Sequence, residues 1–291
     1  IPAKSLECVI VKSRELLLKF HRYIGLLLAL FVIVNGLTGS TLSFYREIDS
    51  RLNADALTVQ VNGPALSIDD LSGIVQVRYP DTKIAAFFFG GGANQAYSYF
   101  LKPTVTSAPA SSLEVWIDPY SGQIRGDRWI GVVKFDRRHL MPMLHTLHNS
   151  LLLGTPGEVA LGTLAALWLI TLLIGLYLAM PRSGSYRKIF AIKRGAGRFK
   201  LWLDVHRVLG IFAVLILLST SFCAIYMVVP NAFISVMKIV AKPSSPVLAA
   251  RPTRALAPAQ VSPEQAIALA QRTFPDAQMR GIQFYPEKGV Y

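Results

Sequence analysis

Three stretches of the chain carry no charged residue: Ile24–Tyr45, Val159–Met180 and Val208–Val229, each 22 residues long. About 20 apolar residues cross the hydrocarbon core of a bilayer as a helix, so the pattern predicts three transmembrane helices. Between the first two the periodicity changes. Ser67 precedes Asp70 at capping-box spacing, and the apolar pattern that follows stops at Tyr79-Pro80-Asp81, which predicts a capped helix of about 12 residues. The runs KIAAFFF (83–89), AYSYFL (96–101) and LEVWI (113–117) are aromatic and β-branched, are separated by Gly- or Ser-rich breaks, and lead into the turn DPYSG at 118–122. They predict strands. The expected module is a small α+β fold with one helix on an antiparallel sheet, in which Phe87, Phe88, Phe89, Tyr97, Tyr99 and Trp116 alternate between core and surface.

The pattern occurs twice. A shift of 195 residues lays SIDDLSGIVQVRYPD (67–81) over SPEQAIALAQRTFPD (262–276) without a gap, and FHRYIG (20–25) recurs as VHRVLG (205–210) at an offset of 185. The reading is a tandem duplication of one membrane helix followed by one extracytoplasmic module. Its parts are 1–23 N-terminal segment, 24–45 first span, 46–138 first module, 139–158 His-rich interfacial segment, 159–180 second span, 181–207 basic loop, 208–229 third span and 230–291 part of a second module. The repeat expects a fourth span beyond the C-terminus. Because the chain begins at Ile1 rather than Met and ends at Tyr291 inside a predicted strand, both ends are expected to continue.

A hydrophobic content of 52% beside a net charge of +13 fits neither a soluble domain nor a disordered tail. The first apolar run is longer than a signal-peptide core and lacks a small-residue cleavage site, so it is expected to stay in the mature protein. Arg182, Arg187, Lys188, Lys193, Arg194, Arg198 and Lys200 crowd the loop between the second and third spans, and Lys4, Lys12, Arg14, Lys19 and Arg22 precede the first. By the positive-inside rule both regions face the cytoplasm, and 46–158 and 230–291 lie outside. Topology thus explains the basic excess, and no aromatic-interleaved basic motif points to nucleic acid as a partner. Cys8 and Cys223 form no disulfide framework and no CxxC pair occurs, so redox chemistry would need a cofactor.

The candidates for that chemistry are histidines. There are five: His21, His139, His145, His148 and His206. A histidine at a membrane boundary can simply sit among headgroups, but one facing a bundle interior needs a partner and marks function. The repeat favours the second reading. His21 and Gly25, like His206 and Gly210, share a helix face, and Arg22 and Arg207 stand beside them. Two imidazoles, a slot cleared by glycine and nearby cations match the needs of a bis-histidine haem with its propionates. His21 and His206 could ligate one haem together, or each could pair with a histidine of another helix. His145 and His148 lie roughly on one face of HLMPMLHTLHNSLLLGTPG (139–157), with Leu144, Leu147 and Leu151 as apolar cover. His148 is a candidate axial ligand of a second haem. The rival is a metal site of His145 and His148 with Met141 and Met143, which lacks any acid or Cys. His139, beside Arg137 and Arg138, is expected at the surface.

The segments KFHRYIGLLLALFVIVNGLTGSTLSFYREID (19–49), LHTLHNSLLLGTPG (144–157), GLYLAMPR (175–182) and HRVLGIFAVL (206–215), with the α+β modules, resemble the PepSY-associated transmembrane family from Lys19 onward. The resemblance implies a bacterial inner-membrane protein with periplasmic PepSY-like modules. Some members look like ferric-siderophore reductases that carry two b haems across the membrane with four helices. That would put axial ligation on His21, His148 and His206, with His145 a further candidate, and leave one ligand to the expected fourth span. The leading expectation is a haem b conduit. It would take electrons from a cytoplasmic or quinol donor, since no GxGxxG or phosphate cradle is present, and pass them to a ferric siderophore outside. The alternative is a non-enzymatic module whose PepSY-like sheets bind a peptide, protease or small ligand, with Asp69, Asp70, Asp81 and Asp118 acting as caps and turns. A transporter subunit, suggested by Gly36 and Gly39, is opposed by the absence of acids in the spans.

Overall fold

The computed structural model describes residues 3–104, 112–181, 186–195, 197–239 and 261–284. The Cys8 side chain, Arg182 and the C-terminal strand expected near Tyr291 lie outside the described residues. The chain divides into two compact units, Ile1–Gly39 with His148–Pro243, and Ser40–Leu147 with Ser244–Tyr291.

The first unit holds the helices long and apolar enough to cross a membrane: Lys12–Leu42 of α1 (Ala3–Leu42), α6 (Thr155–Ala179) and α7 (Arg198–Val228). The first and third begin well before the charge-free stretches, because Lys, Arg, Leu and Glu are good helix formers and a charged residue ends only the apolar segment, not the helix. Helix α1 stops at Leu42, three residues before the expected Tyr45. Gly154, with φ +63°, and Pro156 in the first turn start α6. Hydroxyls inside these helices are satisfied by the carbonyl one turn back: Thr38 Oγ1 donates to Val34 O (2.8 Å), Thr171 Oγ1 to Leu167 O (2.8 Å) and Ser221 Oγ to Leu217 O (2.8 Å). In a bilayer no water would replace these bonds. Helices α1 and α6 run antiparallel. Arg14 donates to the terminal carbonyls of α6 at Leu178 (2.6 Å) and Met180 (3.3 Å), while Thr38 near the other end of α1 meets His148, ahead of α6.

The second unit is an antiparallel sheet in the order β4-β3-β2-β1-β5, formed by β1 (Thr82–Phe88), β2 (Tyr97–Pro103), β3 (Ser112–Ile117), β4 (Ile124–Ile130) and β5 (Gly281–Gln283). Helices α4 (Ile68–Arg78) and α9 (Pro263–Thr273) supply Ile68, Leu71, Val75 and Ile267 to the core over Phe87, Tyr99, Leu101, Val115 and Ile117. Ser67 caps α4 by accepting from Asp70 N (3.0 Å), as expected. Strand β4 is not legible in the sequence, because Arg125, Gly126, Asp127 and Arg128 break the apolar alternation.

The described part of the expected second module lies against the first. Helix α9 packs beside α4, and β5 extends the first module's sheet at β1. Phe87 pairs with Ile282, the residue 195 positions later. The helix starts are exchanged in the same manner: Glu264 Oε2 accepts from Ile68 N (2.7 Å), and Asp69 Oδ1 accepts from Glu264 N (3.5 Å). Each carboxylate neutralises exposed N–H groups and the positive end of the neighbouring helix.

One buried cation joins the short helix α2 (Tyr45–Leu52) to this sheet. Arg128 on β4 donates to both Asp49 oxygens (2.7 and 2.8 Å), to Glu114 Oε2 on β3 (2.7 Å) and to Arg138 O (2.8 Å). Its guanidinium lies 4.9 Å over the Trp116 ring, whose Nε1 donates to Glu114 Oε1 (3.0 Å). The two carboxylates and the cation are each less than a tenth exposed. Removing one partner of such a set strands an uncompensated buried charge, at a cost of about 3–5 kcal/mol. Arg128→Ala should therefore lower the unfolding free energy by about that amount in detergent. A loss below about 1 kcal/mol, as for an exposed pair, would contradict this role.

Candidate functional site

Histidines at two depths of the membrane unit meet the facing helix. At the first, the uninterrupted helix KFHRYIG carries His21 on α1, and its Nδ1 lies 3.0 Å from the Thr171 carbonyl of α6. A carbonyl oxygen only accepts, so Nδ1 carries the proton and Nε2 the lone pair. Gly175, one turn further along α6, makes room for the ring: a Cβ there would stand 2.8 Å from His21 Cε1. His206 on α7 brings its ring centroid to 6.2 Å from that of His21, with the planes at 62°.

The turn that carries His206 is tied down from outside the apolar stretch. Asp204, fully buried, accepts from Lys200 Nζ (2.6 Å) and Lys193 N (3.2 Å) and pairs with Arg207 Nη2 (2.9 Å). Arg207 also donates to Ile189 O (3.0 Å) and Ala191 O (2.8 Å), so its guanidinium fastens the short 3-10 turn Tyr186–Phe190 to α7. Arg22 lies beside the ring of its neighbour Tyr23, at 5.8 Å. Beside the histidines the glycines leave space. A Cβ at Gly210 would meet no described atom within 4 Å, and one at Gly25 would meet only Thr171 Cγ2, at 3.9 Å.

At the second depth, His148 comes from the last turn of α5 (Leu140–Ser150). Its Nδ1 lies 2.9 Å from Thr38 Oγ1, and its Cε1 would touch a Cβ placed on Gly39 at 3.0 Å. Past α5, Leu151 and Leu152 both adopt positive φ (52° and 62°) and turn the chain into α6. For non-glycine residues this is a costly conformation, and such outliers gather at functional sites. Residues 21 and 38 of α1 are about 25 Å apart along the axis at 1.5 Å per residue, close to the thickness of a hydrocarbon core.

The remaining histidines stand elsewhere. His145 belongs to the α+β unit, where its ring meets the edge of Tyr45 at 6.5 Å. Burial pushes the Tyr45 phenol above its ordinary pKa, and the nearby Arg128 opposes that shift. His139 is a correction: it is 7% exposed rather than at the surface, with Nδ1 bonded to Asp136 Oδ1 (2.7 Å) and its backbone N–H donating to the same carboxylate (3.0 Å). The acid three residues earlier caps the turn before α5 and draws the ring inward. Met141 and Met143 are buried as well. Among the described residues no group of three or more His, Cys, Asp or Glu is placed to hold a metal ion.

The 6.2 Å spacing of the His21 and His206 rings is that of an edge-to-face contact, and the chemistry of the donor set is compatible with a haem that both would hold. The donors are imidazoles, His21 has its second nitrogen bonded to a backbone carbonyl as ligating histidines do, and Gly25 and Gly210 leave open volume. Thr171, Gly175, Thr38 and Asp204 escape sequence reasoning, and Gly39 enters it only as a mark of a transporter. The available signals were the LTGS step inside an apolar span and a lone acid in a basic loop.

A family model described as PepSY-associated TM region matches residues 18–285. No curated protein matches the chain.

The Asp136–His139 pair makes a pH prediction. The hydrogen bond from His139, first, and then its backbone N–H, its charge and Lys134 hold the Asp136 carboxyl down at about 2 against the opposing effect of desolvation. A carboxyl depressed below its unfolded value near 3.9 stabilises the fold above about pH 4 and loses that contribution as pH falls towards 2. Wild type should therefore melt above Asp136→Asn from about pH 4 upward, and the gap should close by about pH 2. A gap that is the same at both ends would contradict the assignment.

Proposed function

Because the chain belongs to the PepSY-associated transmembrane family, we propose that this multi-pass membrane protein is a haem b electron conduit of a bacterial inner membrane, reducing an extracytoplasmic ferric chelate such as a siderophore. The observation that carries the reading is the 6.2 Å spacing of the His21 and His206 rings on two different spans, with His21 Nδ1 bonded to Thr171 O. Bound haem would supply one-electron chemistry, with a potential tuned by its axial ligands and their hydrogen bonds. His21 and His206 would hold it at the cytoplasmic side and His148 would serve a second haem near the outer face. Gly25 and Gly210 keep the neighbouring volume clear, and Arg22 is the cation left for a propionate once Arg207 is engaged with Asp204 and the loop carbonyls. By the positive-inside pattern the N-terminus would lie in the cytoplasm and the sheet in the periplasm. Electrons would come from a cytoplasmic or quinol donor.

The same reading takes the chain as a tandem duplication. The matched segments 195 residues apart, the Phe87–Ile282 pair and the exchanged carboxylates of Asp69 and Glu264 support it. It expects a counterpart of the second span, and of His148, downstream. The second reading, a non-enzymatic PepSY binding module, draws on the α+β unit itself, whose acids serve as caps, turns and ion pairs: Asp70 at the α4 cap, Asp118 in the 118–122 turn and Glu114 on Arg128.

The test is the optical spectrum of the purified protein before and after dithionite. Wild type should show the sharp reduced α-band of six-coordinate haem b. His21→Ala and His206→Ala should remove the same component, and His148→Ala a different one. A folded protein with no such band would end the haem reading and turn the search to extracytoplasmic ligands of the sheet.

A further inference from the structure

At the basic end of the membrane unit, beside the end of α6, two arginines line a cleft that the haem reading does not use. Its volume is about 220 Å³, many times the ~10–15 Å³ that a single water needs. One wall is Leu178–Pro181, where an apolar span ends; Ile189 of the 3-10 turn adds to it, and Arg14 of α1 and Arg207 of α7 supply the charge. Among the described residues no carboxylate lines it. Each guanidinium is held in place by only part of its donors. Arg14 commits Nη2 to the Leu178 and Met180 carbonyls (2.6 and 3.3 Å) and lies 5.5 Å from the Tyr177 ring centre. Arg207 commits Nε to Ile189 O and Nη2 to Ala191 O and Asp204. A guanidinium carries donors on every nitrogen. Among the described residues, Nε and Nη1 of Arg14 and Nη1 of Arg207 therefore keep N–H groups to offer.

We propose that this cleft is a headgroup site for an anionic glycerophospholipid, with the phosphodiester between Arg14 and Arg207 and the root of an acyl chain against Leu178, Ala179 and Met180. The inference is independent of the haem reading. Fixed cations with donors to offer suit phosphate oxygens, which only accept. The local charge agrees: Arg14, Arg207 and Lys200 stand against Asp204 and against Glu15, which lines an adjoining cleft with Arg14. Exposed Lys193, Arg194 and Arg198 add to the positive side from the same loop. The C-terminus of α6 turns the negative end of its dipole this way, and the Arg14 bonds to its carbonyls offset that repulsion. The setting favours a lipid over an acidic protein. The cleft closes on the last turn of an apolar span, and Tyr186 and Phe190 of the 3-10 turn, with Phe199 and Trp202 at the start of α7, are each more than half exposed. Aromatic and basic residues mixed at the end of a span mark the membrane–water interface. A quinol that gives up electrons must also release protons, and the cleft lining offers no carboxylate or imidazole to take them.

The test measures lipid retention by the purified protein in nonionic detergent with native mass spectrometry, using dioleoylphosphatidylglycerol against the zwitterionic dioleoylphosphatidylcholine. Wild type should hold the first at least about fivefold more tightly, the effect of one cation at a membrane surface. Arg14→Gln should lose about that factor. Ala179→Glu keeps both arginines and sets a carboxylate beside them, and should lose at least as much; it decides the outcome if Arg14→Gln, which also strips α6 of its terminal partner, does not fold. Arg194→Gln removes an equal charge outside the cleft lining and should change the preference by less than about twofold. Equal retention of the two lipids by wild type would overturn the inference and leave the basic end to an acidic protein partner. A preference that survives Ala179→Glu would also overturn it, as would a loss in Arg194→Gln as large as in Arg14→Gln, the mark of diffuse surface charge. The same holds for a preference abolished by inorganic phosphate but not by chloride of equal ionic strength, the mark of a site for soluble phosphate.

Discussion

An imidazole placed at membrane depth is tolerated only when its ring N–H has a partner, and in this chain that constraint binds the spans to one another. Water is not available there, and an unpaired polar group in hydrocarbon costs several kcal/mol. His21 on α1 answers by bonding to α6 through the Thr171 carbonyl, and His148 answers by bonding to α1 through Thr38. The threonine hydroxyls of both seats are themselves satisfied by the carbonyl one turn back. Each bond removes a liability on one helix by using spare acceptance on another, so the polar residues of the spans specify which helix faces which.

The glycines follow from the same constraint. An imidazole that reaches a helix backbone needs a place without a Cβ, and Gly175 and Gly39 supply it at the two depths. Around this arrangement the charged residues act at the edges. Asp204 and Arg207 fasten the basic loop to the first turns of α7, and in the other unit Arg128 fastens α2 to the sheet between two carboxylates and an indole. Both are cases of a buried charge kept tolerable by more than one partner. The sheet also explains the sharing of acids between repeats: Asp69 and Glu264 each sit where the neighbouring helix exposes N–H groups.

Much of this was legible in the residues. The spans, the Ser67 cap, three strands and the grouping of His21 with His206 follow from apolar runs, cap spacing and the repeated His-Arg-x-x-Gly. What stayed hidden was tertiary in origin. Strand β4 reads as polar because Arg128 points inward to partners on other elements, which no local pattern reveals. His139 reads as surface because of Arg137 and Arg138, yet Asp136 turns it inward. The C-terminal segment reads as part of a second module, and self-similarity alone does not tell that its strand extends the sheet of the first. Thr38 and Thr171 read as incidental hydroxyls in apolar helices, and only the facing ring gives them a role.

The central claim is that His21 and His206, on two different spans, hold one iron between them. Electron paramagnetic resonance of the oxidised, haem-loaded protein at low temperature tests it directly through the spin state of the ferric ion. Bis-imidazole ligation predicts a low-spin signal that His21→Gly and His206→Gly each convert to high spin, and that added free imidazole restores in either variant. The low-spin signal of the second haem at His148 should persist in both variants; a spectrum in which no low-spin component is lost on removing both histidines, or in which one is lost with only one of them, would contradict the claim.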